Sequence, residues 1–114
     1  MELTKNNDKI IVNIALNYGG RDELVRTFKK LLSSGVKAQE ITEKLINTNL
    51  DTAGLPDPDL IIRTSGEQRL SNFLPWQATY AELYFTKVHW PDFDKNQLDI
   101  ALIEFQQRQR RMGK

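Results

Sequence analysis

The feature that most constrains this chain is a run of β-branched residues ending at a glycine pair, Ile10-Ile-Val-Asn-Ile-Ala-Leu16 followed by Asn17-Tyr18-Gly19-Gly20. It reads as a buried strand closed by a tight turn. A helical pattern follows at once, because Leu24, Val25, Phe28, Leu31 and Leu32 fall on one helix face. Asp22 and Glu23 in its first turn and Lys29 and Lys30 near its last suit the helix dipole, and Gly35 can close it. Strand, turn and helix in that order are the unit of a parallel α/β sheet.

The alternation continues down the chain. Residues 38–47 predict a weaker helix with Ile41, Leu45 and Ile46 on one side, and Gly54-Leu-Pro-Asp-Pro58 is a turn-rich break. A second strand is expected over 59–63, a polar loop over 64–69, a short helix over 75–80 and a third strand near Leu83-Tyr84-Phe85. Trp90-Pro91-Asp92 ends that strand. Asp94 and Gln97 then make a capping-box pattern and Phe93 and Leu98 have staple spacing, which starts a last helix burying Leu98, Ala101, Leu102 and Phe105. The expected fold class is α/β, a mostly parallel sheet flanked by helices, in a single domain over 1–114 with a polar lead-in over 1–9. The supply of elements is thin. Three strands leave two unpaired edges, and three or four helices must cover two faces. The chain is therefore either a very small α/β domain or part of a larger one.

Composition narrows the function classes. Sixteen Lys and Arg against fifteen Asp and Glu give a net charge of +1, so no global field steers the chain toward nucleic acid or an anionic membrane. The absence of cysteine excludes disulfides, thiolate catalysis and Cys-ligated metal. No apolar run approaches the roughly 20 residues of a membrane span, and the polar start lacks the apolar segment of a secretory signal. A cytoplasmic setting is expected. His89 is the single histidine and reads as structural beside Trp90, while Trp76, Trp90, Phe73 and Phe85 read as core or dimer-interface packing rather than base stacking.

Two loops sit where α/β proteins bind ligands, beyond strand ends. In Asn17-Tyr18-Gly19-Gly20-Arg21 the helix-start amides could meet an anion, or the glycines could simply provide a turn that needs positive φ. In Arg63-Thr-Ser-Gly66-Glu-Gln-Arg69-Leu70-Ser71 two arginines could converge on a diphosphate, with Gly66 turning the chain and Ser71 adding a hydroxyl. The alternative is a solvated loop whose arginines pair with Asp57, Asp59 or Glu67.

The block Asp57-Pro-Asp59-Leu-Ile-Ile-Arg63-Thr-Ser-Gly-Glu-Gln-Arg69-Leu-Ser71-Asn-Phe-Leu-Pro-Trp76-Gln77, with Tyr80-Ala-Glu82-Leu-Tyr-Phe85 and Trp90-Pro-Asp-Phe93, closely resembles the signature of the cis-prenyltransferases. Asn13-Ile-Ala-Leu-Asn-Tyr-Gly-Gly-Arg21 resembles the family's preceding block, and a composite pattern this long is far more specific than any short motif within it. The resemblance runs from about Ile10 to the end. It implies a transferase that joins isopentenyl diphosphate to an allylic diphosphate such as farnesyl diphosphate. By the same resemblance Arg63, Arg69, Leu70 and Ser71 would hold the isopentenyl diphosphate, Glu82 would be the Mg²⁺-linked carboxylate, and Arg111 and Gly113 would form a terminal element that reaches phosphates in a neighbouring subunit. Without it, Glu82 reads as a rim carboxylate paired with Arg63 or Arg69, and the basic end from Arg108 to Lys114 as a solvated helix terminus.

The family's aspartate segment, of His-Gly-Asn-Gly-Arg-Trp or Asp-Gly-Asn-Gly-Arg-Trp type, and its Phe-Ser-x-Glu-Asn-Trp type block do not occur in this sequence. No catalytic residue can therefore be assigned, since neither Asp8 nor Asp22 has the surrounding motif. The resemblance implies the C-terminal half of the family's fold, inactive by itself, working as a homodimer or with the missing N-terminal half. Nucleic acid is not an expected partner, no transmembrane segment is expected, and a lipid product would draw such an enzyme to the inner face of the membrane. The competing reading is a non-catalytic module that docks on a complete synthase subunit through its terminal helix and its Arg111-Met112-Gly113 tail.

Overall fold

The computed structural model describes residues 2–108. After a single 3₁₀ turn at Glu2–Thr4, the first regular element is α1, Gly20–Ser33, and it ends as the sequence predicts. Gly35 takes φ +81°, its N–H donates to the Leu32 carbonyl, and the Val36 N–H donates to Leu31. That pair of bonds is a Schellman motif and satisfies carbonyls the helix leaves open. The expected second helix is interrupted. A 3₁₀ turn at Ala38–Glu40 precedes α2, Glu43–Asn47, because extended Thr42 caps α2 by accepting the Leu45 N–H at 3.1 Å.

Two strands follow, β1 at Leu60–Arg63 and β2 at Glu82–Phe85, paired in parallel with Leu60 opposite Glu82 and Arg63 opposite Phe85. Parallel pairing demands a crossover, which is usually a helix. Here it is a chain of turns. The helix expected over 75–80 forms only isolated turn bonds, such as Ala78 N–H to the Leu74 carbonyl at 2.8 Å. After a 3₁₀ turn at Trp90–Asp92, α3 runs over Lys95–Gln107, and Asp94 caps it by accepting the Gln97 N–H at 3.0 Å.

The first expected strand, over 10–16, does not form. Residues 10–16 are outside any helix or strand, no described residue pairs with their backbone, and Ile10, Ile11, Val12, Ile14 and Leu16 are 76–83 % exposed. A strand exists only through its neighbour's hydrogen bonds, and a β-branched run cannot supply that neighbour.

The buried faces also differ from expectation. The stripe that α1 buries is Gly20, Glu23, Thr27 and Leu31, whereas Val25, Phe28 and Leu32 are exposed. On α3 only Ala101 is buried, with Leu98 and Leu102 exposed. The core is small: Leu31, Ile46, Leu50, Ala78 and Ala101 with polar Glu23, Thr27 and Gln77 among them. Aromatic packing is correspondingly peripheral, since Trp90 stacks on Phe93 while 74 % exposed and Phe73 is 42 % exposed. A closed monomer of this mass exposes about 6,400 Å², and this chain exposes 9517 Å². Large apolar faces are therefore left uncovered. Among the described residues no helix is long and apolar enough to cross a membrane.

Candidate functional site

The loop after β1 is fastened to the segment that follows β2. Ser65 and Gly66 both take positive φ, and their N–H groups donate to the Val88 and Thr86 carbonyls at 2.8 Å each. The turn returns the chain so that Arg63 Nη1 donates to the Arg69 carbonyl and to Ser71 Oγ, the latter at 3.2 Å. The expected convergence is thus partly realised. Arg63, Ser71 and the Arg69 backbone meet, but the Arg69 guanidinium pairs with Glu67 at the surface. Leu70 is half-buried and its carbonyl accepts the Phe73 N–H at 3.1 Å. His89 is exposed, and its Nδ1 lies 3.3 Å from Ser65 Oγ.

Glu82 sits elsewhere. Register places it three residue pairs from Arg63, roughly 10 Å along the sheet. Its carboxylate accepts from Arg108 Nη1 at 3.1 Å, and Arg108 also donates to the Leu83 carbonyl and Glu104. The arginine that pairs with it is therefore Arg108, neither Arg63 nor Arg69. The described residues contain no group of three or more His, Asp or Glu that could hold a metal. One carboxylate suits Mg²⁺ only where phosphate oxygens and water complete the shell, which is how Mg²⁺ is commonly bound. Arg111 and Gly113 lie outside the described residues.

The glycine pair contributes differently from either expectation. Gly19 is extended at φ −146° and caps α1, while the positive φ falls on Asn17. Gly20 is needed for close approach, since a Cβ there would lie 2.0 Å from Pro75 Cδ and 2.4 Å from its Cγ. The helix-start amides are not open to an anion. Asn72 takes two of them, its carbonyl accepting Gly20 N–H at 2.9 Å and its side-chain oxygen accepting Arg21 N–H at 2.9 Å. The two loops therefore form one unit. Gly20→Ala should drive the helix and the Pro75 loop apart and cost about 1–3 kcal/mol of stability, read as a lower denaturation midpoint; a midpoint equal to wild type would refute the close approach.

Beneath this contact lies a polar cluster that sequence patterning does not reveal. Glu23 is fully buried and accepts from Tyr18 Oη at 2.5 Å, from Asp51 N–H at 2.8 Å and from Gln77 Nε2 at 3.1 Å. Gln77 Nε2 also donates to Thr52 Oγ1 at 3.0 Å, while Gln77 Oε1 is buried without a partner. Burial, and then the hydrogen bond to Glu23, push the Tyr18 phenol well above its ordinary pKa. Arg26 forks onto Asp51 at 2.6 and 3.1 Å and holds that carboxyl below its usual range. Ile14, Tyr18, Arg26, Asp51, Phe73 and Gln77 line an open cavity of about 500 Å³ at this junction. Tyr18 also meets Phe73 edge to face, with ring centroids 5.8 Å apart.

The family described as "Putative undecaprenyl diphosphate synthase" matches residues 1–113. The chain belongs to the cis-prenyltransferases. It is 57% identical to the isoprenyl transferase of Streptococcus mutans, over 98% of this chain and 48% of that protein. It is 50% identical to the ditrans,polycis-undecaprenyl-diphosphate synthase ((2E,6E)-farnesyl-diphosphate specific) of Legionella pneumophila strain Paris, over 97% of this chain and 48% of that protein. The crystal structure of a probable undecaprenyl diphosphate synthase from Campylobacter jejuni superposes with a TM-score of 0.81 at 38% identity, covering 99% of this chain and 52% of that one. Lavandulyl diphosphate synthase from Lavandula x intermedia, in complex with dimethylallyl diphosphate, gives 0.82 at 39% identity, covering 88% of this chain and 45% of that one. The chain spans about half the length of these family members. Its α/β class and parallel pairing agree with the sequence expectation.

Proposed function

We propose that this chain is the C-terminal half of a cis-prenyltransferase of the undecaprenyl diphosphate synthase kind, carries the isopentenyl diphosphate site, and does not turn over alone. The observation that carries this reading is the Arg63 guanidinium held between the Arg69 carbonyl and Ser71 Oγ. A planar fork fixed at a strand end can donate to a diphosphate without first being ordered. Arg69 would join it on leaving Glu67, an exposed pairing that resists little. Leu70 would flank the site, and Arg111 and Gly113 would add contacts from the chain end.

The reaction this site would serve breaks the allylic C–O bond, releasing pyrophosphate, and joins the allylic carbon to the isopentenyl alkene; a proton then leaves the adduct to give a cis double bond. The residues of this chain supply anchoring, which converts an encounter between two diphosphates into an oriented approach. Mg²⁺, held by Glu82 together with phosphate oxygens, would offset charge between the two substrates. The aspartate and asparagine of the chemical steps would come from the complementary half, in a homodimer at the inner face of the cytoplasmic membrane. The exposed apolar residues Leu98, Ile100, Leu102 and Ile103 of α3 favour a second reading, a docking module for a complete synthase.

The deciding experiment mixes the chain with farnesyl diphosphate, radiolabelled isopentenyl diphosphate and Mg²⁺, with and without the half of the Streptococcus mutans relative that it does not match. Turnover only in the presence of that half is expected. Robust turnover by the chain alone would overturn the proposal. Copurification with a full-length synthase, combined with failed complementation, would favour the docking module.

A further inference from the structure

Residues 71–74 hold a backbone that they would not adopt unaided. Ser71, Asn72 and Leu74 have φ of +48°, +68° and +49°, a left-handed region that is sparsely used by non-glycine residues and least uncommon for Asn and Asp. Such conformations persist only where their surroundings over-determine them. Asn72 supplies two of the supports, both directed at α1. Its carbonyl accepts Gly20 N–H and its side-chain oxygen accepts Arg21 N–H, so it acts as a cap for α1 delivered from a residue 51 positions away. A capping bond of this kind satisfies amides that the helix cannot pair internally.

The consequence falls on the neighbouring residue. Ser71 Oγ accepts from Arg63 Nη1, and the Arg69 carbonyl accepts from the same nitrogen. The first acceptor is the side chain of the residue beside Asn72 and the second is a backbone carbonyl three residues before Asn72. If the turn relaxes toward ordinary φ, Ser71 leaves the guanidinium and Arg63 loses the constraint that presents its fork. We infer that Asn72 is a positioning residue: by bonding to the first turn of α1 it locks the 69–71 backbone against Arg63, and so sets the affinity of that site for a diphosphate. The significance for substrate rests on the isopentenyl diphosphate reading above, whereas the lock itself stands on geometry alone.

Three variants of the full chain separate the possibilities. Asn72→Asp keeps both an acceptor and tolerance of positive φ; Asn72→Gly keeps only the tolerance; Asn72→Ala keeps neither. Amide exchange followed by NMR reads the lock directly at Gly20, Arg21 and Phe73, the last because its N–H closes the turn onto Leu70. Asn72→Gly should accelerate exchange at Arg21 and Phe73 by about tenfold or more, while Gln97, capped by Asp94 on α3, stays at its wild-type rate. Asn72→Asp should restore protection to within about threefold. Calorimetric titration with isopentenyl diphosphate should show the same ranking, with Asn72→Gly roughly tenfold weaker and Asn72→Asp close to wild type.

Unchanged exchange at Arg21 and Phe73 in Asn72→Gly overturns the lock, as does acceleration at Gln97 to the same extent, which would signal global loosening. Affinity that is equal in wild type and Asn72→Gly, with exchange altered, overturns the claim that the lock governs the site. Absence of any isopentenyl diphosphate binding by wild type defeats the substrate reading, and the exchange data still decide the lock.

Discussion

Arg63→Ala, placed in the enzyme reconstituted from this chain and its complementary half, should raise the KM for isopentenyl diphosphate by roughly 10- to 100-fold, which corresponds to the loss of about 1.5–3 kcal/mol from hydrogen bonds to a charged group. The KM for the allylic substrate should move less than about threefold. The asymmetry follows from position, because Arg63 ends β1 and its Nη1 is already tied to the Arg69 carbonyl and Ser71 Oγ. A fork ordered in advance loses little entropy on binding. Arg69→Ala should have the smaller effect of the two, since its guanidinium must first leave Glu67 and is more than half exposed. Arg63→Lys should resemble the alanine variant more than wild type, because an ammonium cannot reproduce a planar two-point donor. Steady-state kinetics with each substrate varied in turn provides the check. Equal weakening of both substrates by Arg63→Ala would place this arginine outside a dedicated isopentenyl site.

What the sequence made legible was whatever depends on neighbours a few residues away. The Gly35 stop of α1, the Asp94 cap of α3 and the approximate limits of β1 and β2 are local chemistry, and all appear in the structure. The strand expected over 10–16 needed a hydrogen-bonding neighbour that the run itself cannot specify, and the described residues do not supply one. The buried face of α1 was misjudged for a related reason. Apolar periodicity points to Val25, Phe28 and Leu32, but what packs on the helix is a set of polar groups from two separate segments, Asn49 and Asp51 from one and Gln77 from the other, which engage Thr27 and Glu23.

The candidate site divides in the same way. Arg63 and Ser71 are eight positions apart and their meeting could be anticipated from the intervening Gly66. The Gly20 contact with Pro75 and the Asn72 bond to Arg21 span more than fifty positions, and a glycine pair after a strand suggests a turn or an anion site rather than a docking surface for another loop. Glu82 likewise chose Arg108, the residue that caps the end of α3, because β2 and α3 pack together, a tertiary fact with no counterpart in local spacing.

Glu23→Ala should be among the most damaging single substitutions for stability. It would strip the acceptor from Tyr18 Oη, Asp51 N–H and Gln77 Nε2 at once, in a place where Glu23 is fully buried. Gln77 Nε2 keeps Thr52 Oγ1 and the other two donors are partly buried, so the loss should be about 1–3 kcal/mol and the melting temperature should fall by roughly 5–15 °C. Glu23→Gln should do about half that damage, because one amide oxygen remains as acceptor and the Tyr18 hydroxyl can rotate to accept from the new NH₂. The same network sets an alkaline limit. Tyr18 has a raised pKa, so its contribution is fully present below the unfolded value of about 10 and is lost as pH rises beyond it. Glu23→Gln should lower the Tyr18 pKa toward the ordinary value without reaching it, since burial is the larger cause. Thermal melts between pH 7 and 11, with NMR titration of ring-labelled tyrosine, measure both effects. A melting temperature for Glu23→Ala within about 2 °C of wild type would mean that water replaces the carboxylate, and that this cluster does not join the two loops.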